Sequence, residues 1–190
     1  ADDGESVVAT ADALTAAGSN LRNIQLLGTG LWDNPRVFAS PGTIYEPEGE
    51  ARDYWRTARA LHAAGFRGGE LIHNSFSYHM TPAGSIMESG ARAMGCTVFA
   101  GGTGQTEQQL EAMVDLKPEG YAGTPSFLKI LLEKAEEKSV KLPSLTKALV
   151  SGEAFLPSLR DALTARGIGA FQAYASADLG CIAYETEARE

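Results

Sequence analysis

The sequence predicts an α/β protein with three layers, α/β/α, in which helices cover both faces of a central, mainly parallel sheet. Short apolar runs of four or five residues alternate with segments whose apolar residues recur at helical spacing. Glycines and prolines stand where these segments begin and end. Five such strand–helix units are typical of flavodoxin-like or Rossmann-like folds, and we expect one domain over residues 1–190.

The N-terminal third carries the least regular part of the pattern. Apolar spacing predicts a helix over 6–17, and the run IQLL predicts a strand over 24–27. Because IQLL is apolar on both sides, we expect it to join the central sheet. Prolines and glycines without any period predict a long loop over 31–49. A helix is predicted over 50–64, with Gly65 after its end.

The remaining elements alternate regularly. Strands are predicted over 71–75, 97–100, 120–123, 147–151, 170–174 and 181–185. Helices are predicted between them, over 82–94, 106–117, 125–138 and 156–166. The helix starts rest on Thr81 before Pro82, on Thr124 before Pro125, and on a capping box formed by Thr106 and Gln109.

Composition excludes several classes of function. The 190 residues contain 24 acidic and 16 basic side chains, a formal net charge of -8, which argues against nucleic-acid partners and against anionic membrane surfaces. Cys96 and Cys181 fit neither a disulfide scaffold nor zinc spacing, so a reducing cytoplasm is the default location. We find no apolar run of about 20 residues and no signal peptide.

Ligands of parallel sheets bind at the carboxyl ends of the strands. The loops expected there are rich in Ser, Thr, Gly and Tyr, and they span 76–81, 101–106, 124–126, 151–155 and 174–180. The loop 101–106 opens a helix, and its backbone N–H groups could face an anion. It lacks the lysine of a phosphate-binding P-loop, so a plain connector is the alternative.

His73 and His79 flank Ser75 and Ser77, so a nucleophile–base pair is one interpretation of this segment. There is no GxSxG elbow, however, and His73 fits equally well as a half-buried strand residue. No catalytic residue and no metal ligand is predicted.

Two segments that follow neighbouring strands form the candidate nucleotide site. Ser151, Gly152, Glu153 and Ala154 follow one strand, and 174–178 follows the next. An aromatic face, a glycine and two carboxylates could hold a purine and ribose and position Mg²⁺. The alternatives are that Glu153 stabilises a helix N-terminus and that Tyr174 belongs to the core.

These residues lie in segments that resemble a known protein family. The sequence from 36 to 190 resembles the phenylacetate–CoA ligase branch of the AMP-forming acyl/aryl-CoA synthetases, through RVFASPGTIYEPEG, DYWRTARALHAAGFRGGELIHNSFSYHMTPAG, GTGQTEQQ, GTPSFLKILLEKA, LVSGEAF and QAYASADLG. The resemblance implies that Gly152, Glu153 and Ala154 contact adenine, with Ser151 beside them. It implies that Tyr174 packs on the adenine or ribose, and that Asp178 serves Mg²⁺ and phosphate.

The sequence departs from the family pattern in several places. Asp178 stands for the usual glutamate and Ala175 for a glycine. The family's triphosphate loop, expected upstream of SPGTIYEPEG, and its C-terminal lysine are not found. The resemblance therefore implies no ligase turnover and no obligatory cofactor, with at most weak binding of AMP or ATP with Mg²⁺.

Residues 1–35 resemble instead a helix–strand segment of periplasmic-binding-protein-like lipoproteins. With an apparent junction near 36–40, the leading interpretation is an engineered, non-catalytic chimera of two α/β parents. A ligase fragment that still binds AMP or ATP is the alternative, and a natural substrate-binding domain is a third. Loss of most of a ligase would expose apolar surface and favour self-association.

Overall fold

The computed structural model describes residues 35–40 and 44–188, and its first two strands form a hairpin. β1 (Arg36–Ser40) pairs antiparallel with β2 (Ile44–Glu48). The predicted loop over 31–49 is wrong for these two strands. Pro47 argued against a strand in the sequence. A proline is nevertheless tolerated in a two-stranded ribbon, because only one side of each strand needs a hydrogen-bonding partner.

Among the residues that the structure describes, the central sheet has six strands. They are β3 (Leu71–Asn74), β4 (Thr97–Ala100), β5 (Gly120–Gly123), β6 (Lys147–Val150), β7 (Gly169–Ser176) and β8 (Gly180–Tyr184). Their order is β4-β3-β5-β6-β7-β8, with β3 to β7 parallel and β8 antiparallel to β7. The parallel part has the strand order of flavodoxin-like sheets, which confirms the predicted fold class.

Within 35–40 and 44–188, five helices cover this sheet. They are α1 (Ala58–Ala63), α2 (Ala83–Ala93), α3 (Thr106–Leu116), α4 (Pro125–Glu137) and α5 (Pro157–Ala165). Side chains of α1 and α2 share one buried cluster with Ala122 of β5, and those of α3, α4 and α5 share another with Tyr121 of the same strand. Because successive strand residues face opposite sides, the two clusters are the two faces of one sheet.

The predicted helix over 50–64 is shorter in the structure. Arg56 has φ 60°, which interrupts a helix, and α1 starts only at Ala58. The carboxylate of Asp53 accepts hydrogen bonds from the backbone N–H groups of Thr57 and Ala58, at 3.0 and 3.1 Å. Trp55, which falls within the predicted helix, is buried in the turn that precedes α1.

The three predicted helix starts have different outcomes. The Oγ1 of Thr124 accepts from the N–H of Phe127, which confirms that cap. Pro82, not Thr81, is the N-cap of α2. The capping box at Thr106 is wrong, because Gln105 precedes α3 in a left-handed conformation and Gln109 turns its side chain into the protein.

The predicted helix over 6–17 and strand over 24–27 lie outside the described residues. Within the described ranges, no helix has the length and apolar character needed to cross a bilayer.

A half-buried ion pair closes the amino end of the sheet and should make stability depend on pH. The Nζ of Lys147 lies 2.7 Å from Oε1 of Glu70 and donates to the carbonyl of Gly65 at 2.9 Å. Burial raises the pKa of the Glu70 carboxyl, but hydrogen bonds from Lys147 and from the N–H of Arg67 outweigh it, so this pKa lies below its ordinary value of 4.5. A lowered pKa stabilises the fold above the ordinary value, and the gain disappears as pH falls through the folded-state pKa.

We expect Glu70→Gln to cost about 1 kcal/mol of unfolding free energy at pH 7. The difference from the wild type should shrink steadily below pH of about 4.5. Urea unfolding at several pH values measures this, with Glu133→Gln on exposed α4 as the control. A cost for Glu70→Gln that is the same at pH 3.5 and pH 7 would contradict the linkage.

Candidate functional site

The strand order creates a crevice at the carboxyl edge of the sheet. β3 is followed along the chain by β4 on one side, whereas β5 lies on its other side. The loop after β3 leads to α2 on one face, and the loop after β5 leads to α4 on the opposite face. Ligands of doubly wound sheets bind at such a reversal of strand order.

An apolar cavity of about 280 Å³ lies beside this crevice. The loop after β3 and the start of α2 contribute Phe76, Ile86 and Met87, and the loops after β6 and β7 contribute Ser151, Gly152 and Ala175. No charged side chain lines it among the described residues. The cavity therefore suits an apolar group attached to something polar at its mouth.

The segment 151–154 separates this cavity from a second hollow. Ser151 and Gly152 border the apolar cavity, whereas Glu153 and Ala154 border a groove of about 530 Å³ between α4 and α5. Gly152 has φ +85°, a conformation that favours glycine. The four predicted residues are thus brought together as one wall with two sides.

Glu153 is engaged within the fold. Its Oε1 accepts from the N–H of Ser126 in the first turn of α4, at 2.6 Å, and its carbonyl accepts from Nε2 of Gln172 at 3.1 Å. A carboxylate at a helix N-terminus is favourable. Glu153 therefore stabilises a helix N-terminus, as the alternative stated, and the helix is α4. Contact with a nucleotide stays a prediction for this residue.

Tyr174 is exposed, with 66% of its surface accessible, so the alternative that it belongs to the core is wrong. Alternate residues of a strand share a face, so Tyr174 points to the same side of β7 as Gln172. Because the Gln172 amide reaches the Glu153 carbonyl, the Tyr174 ring belongs to the side of the sheet where 153–154 runs. Asp178 lies in the turn that joins β7 to β8.

Sequence reasoning missed the role of Gln109. Its Oε1 lies 2.7 Å from Nε2 of His73 and accepts from Oγ of Ser75, while its Nε2 donates to the carbonyls of Gly102 and Gly104. The glycine loop 101–106 is therefore tied to β3 through one buried side chain. A glutamine at an inward-facing helix position near polar residues at a strand end was the available signal.

The histidine segment forms no nucleophile–base pair. His73 and Ser75 both bind Gln109, and burial lowers the pKa of the His73 imidazole, although its hydrogen bond to Gln109 opposes this. Ser77 and His79 contact each other only through the backbone of His79. Within 35–40 and 44–188 there is no cluster of three or more His, Cys, Asp or Glu side chains that could hold a metal.

The fold is that of the sheet domain in structures of CoA ligases. The structure superposes on an open conformation of 2-hydroxyisobutyryl-CoA ligase in complex with 2-HIB-AMP and CoA, with a TM-score of 0.76, 21% identity, and coverage of 85% of this chain and 38% of that one. An anthranilate CoA ligase in complex with anthranoyl-AMP gives a TM-score of 0.64 at 17% identity, over 81% of this chain and 31% of that one.

The relatives found by sequence are phenylacetate-coenzyme A ligases. The chain is 33% identical over 149 residues to a phenylacetate-coenzyme A ligase of Aromatoleum evansii, covering 73% of this chain and 34% of the relative. It is 33% identical over 134 residues to that of Thermus thermophilus, covering 66% and 30%. The chain is thus related to phenylacetate–CoA ligases and spans about a third of their length. No protein-family model matches it.

These relatives also test the prediction that the chain is a chimera of two parent families. None of them supports the resemblance of residues 1–35 to periplasmic-binding-protein-like lipoproteins or the prediction of an engineered chimera. They favour the alternative, a fragment related to CoA ligases.

Proposed function

We propose that this chain is the part of an adenylate-forming CoA ligase that binds the acyl-adenylate. The adenine stacks on Tyr174 against the backbone of 152–154, and the apolar acyl or aryl group enters the cavity beside Phe76. The observation that carries the proposal is the wall 151–154, which borders the apolar cavity on one side and the side of the sheet that carries Tyr174 on the other.

Each group has a defined task in this proposal. An exposed tyrosine ring offers a flat apolar surface to a base. The left-handed backbone of Gly152 turns the wall so that the chain passes between the two ligand parts. The hydrogen bond from Ser126 to Glu153 holds that wall to α4. Asp178 is the carboxylate that would face the phosphate through Mg²⁺.

The proposed reaction belongs to the whole ligase. A substrate carboxylate attacks the α-phosphorus of ATP, which releases pyrophosphate and leaves the acyl-adenylate; the thiol of CoA then attacks the acyl carbon and AMP departs. For these 190 residues we propose binding and orientation. The described residues that line the cavity carry apolar or neutral polar side chains, which favours an aromatic or branched apolar acid over a dicarboxylic acid.

AMP binding tests the proposal. We expect a dissociation constant in the millimolar range, about -4 kcal/mol, because stacking and a few hydrogen bonds must offset the lost freedom of the ligand. Tyr174→Ala should raise the constant about tenfold, since base–aromatic stacking contributes about 1–3 kcal/mol. NMR titration measures both, and shifts should concentrate at 151–155 and 174–178.

The exposed Tyr45 on the hairpin is a matched control, and Tyr45→Ala should bind AMP as the wild type does. If Tyr174→Ala binds AMP unchanged, the stacking site is misassigned. If no AMP binding is detected up to 20-fold above about 1 mM, the nucleotide proposal fails for this chain.

A further inference from the structure

A second, polar cleft of about 340 Å³ lies between the hairpin and α2. Three arginines line it: Arg36 from β1, Arg52 from the turn before α1, and Arg92 from the last turn of α2. Ser85 contributes a hydroxyl from the first turn of α2. In a chain with a net charge of -8, three guanidinium groups around one cleft are a local reversal of charge.

The two carboxylates of the cleft are already engaged. Both oxygens of Glu48 bind the guanidinium of Arg36, whose Nη1 donates to Oγ of Ser85 at 3.1 Å. Oε1 of Glu88 lies 3.5 Å from Nη1 of Arg92. Arg36 is therefore a fixed part of the wall.

Arg52 and Arg92 retain most of their donors. In the part of the chain that the structure describes, Arg52 forms no ion pair, and its Nη2 makes only a long hydrogen bond of 3.4 Å to the carbonyl of Arg92. The Arg92–Glu88 pair is long and exposed, and such pairs contribute little. The donors left over thus come from two separate elements and point into one cleft.

We infer that this cleft binds a phosphate group. A guanidinium presents parallel N–H groups that match phosphate oxygens. Ser85 is 3% exposed and accepts from Arg36, which leaves its hydroxyl proton for another acceptor. Donors from the turn before α1, from the start of α2 and from its end surround the cleft, which suits a tetrahedral anion better than a planar carboxylate.

The phosphate cleft is distinct from the candidate nucleotide site. Ile86 and Met87 of α2 face the apolar cavity, whereas Ser85 and Arg92 of the same helix line the cleft. The inference therefore does not depend on the proposed function, and Tyr174→Ala should leave phosphate binding unchanged.

Titration with inorganic phosphate at pH 8 and low ionic strength, followed by NMR, is the test. We expect saturable shifts at 48–52 and 85–92, and an increase of about tenfold or more in the dissociation constant for the double variant Arg52→Gln/Arg92→Gln. The double variant Arg59→Gln/Arg166→Gln removes the same charge elsewhere and should bind as the wild type does.

Acetate is the comparison ligand and should bind the cleft at least about tenfold more weakly than phosphate. Equal binding of acetate would show that the cleft does not select phosphate and would overturn the phosphate assignment. Shifts that do not saturate, or equal losses in the two double variants, would overturn the site itself.

Discussion

Gln109→Ala is expected to lower the free energy of unfolding by about 4 kcal/mol. The side chain is 3% exposed and makes four hydrogen bonds, two as acceptor and two as donor. Since its amide nitrogen donates to two carbonyls, its oxygen faces His73, whose Nε2–H is the donor. Truncation leaves these four partners without their bonds in a buried place, and each orphaned group costs about 1 kcal/mol or more.

Gln108 provides a matched control, because it is the same residue type in the same helix and is exposed. Gln108→Ala should change the unfolding free energy by no more than about 0.5 kcal/mol. Urea unfolding measures both variants, and hydrogen exchange should show lost protection at 101–105 only for Gln109→Ala. Equal costs for the two variants would mean that Gln109 does not hold the glycine loop.

Gly90→Ala is expected to cost about 3 kcal/mol, although alanine normally favours a helix. A Cβ at this position would lie 2.6 Å from the backbone nitrogen of Ala58 and 2.7 Å from the carbonyl carbon of Thr57, and it would collide with Oγ1 of Thr57. That hydroxyl also donates to the carbonyl of Ile86 at 2.6 Å. The new methyl group would therefore separate α1 from α2.

Thermal and urea unfolding test this prediction, with Ser89→Ala as the control one residue earlier. Ser89 is only half-buried and bonds within its own helix, so its replacement should cost less than about 0.5 kcal/mol. If Gly90→Ala stabilises the protein, as an alanine in an unobstructed helix would, the close contact between α1 and α2 is not present in solution.

The central sheet could be predicted because its signals are local. Apolar runs such as the one at 147–151 form strands wherever both faces are covered, and the glycines and prolines between them mark helix ends. The hairpin could not be predicted, because a proline such as Pro47 normally argues against a β-strand. It is compatible with a strand that has a hydrogen-bonding partner on one side only, and the sequence does not show that β2 is such a strand.

Only part of the candidate site could be predicted from the sequence. The carboxyl-end loops follow from a parallel sheet, so 151–154 and 174–178 could be placed on one rim. The bond between Glu153 and Ser126 depends on how β5 and β6 pair. The spacing of Thr106 and Gln109 predicts a local capping box, which the structure does not form. The network of Gln109 depends instead on the tertiary position of His73 and Ser75.

The central claim is that the wall 151–154 and Tyr174 form an adenylate site. A crystal structure of the chain soaked with AMP tests this most directly. We expect the adenine ring stacked on Tyr174 against the backbone of 152–154, with the phosphate of AMP toward Asp178. Adenine bound elsewhere, with Tyr174 free, or AMP held only by its phosphate in the cleft of Arg36, Arg52 and Arg92, would contradict the claim.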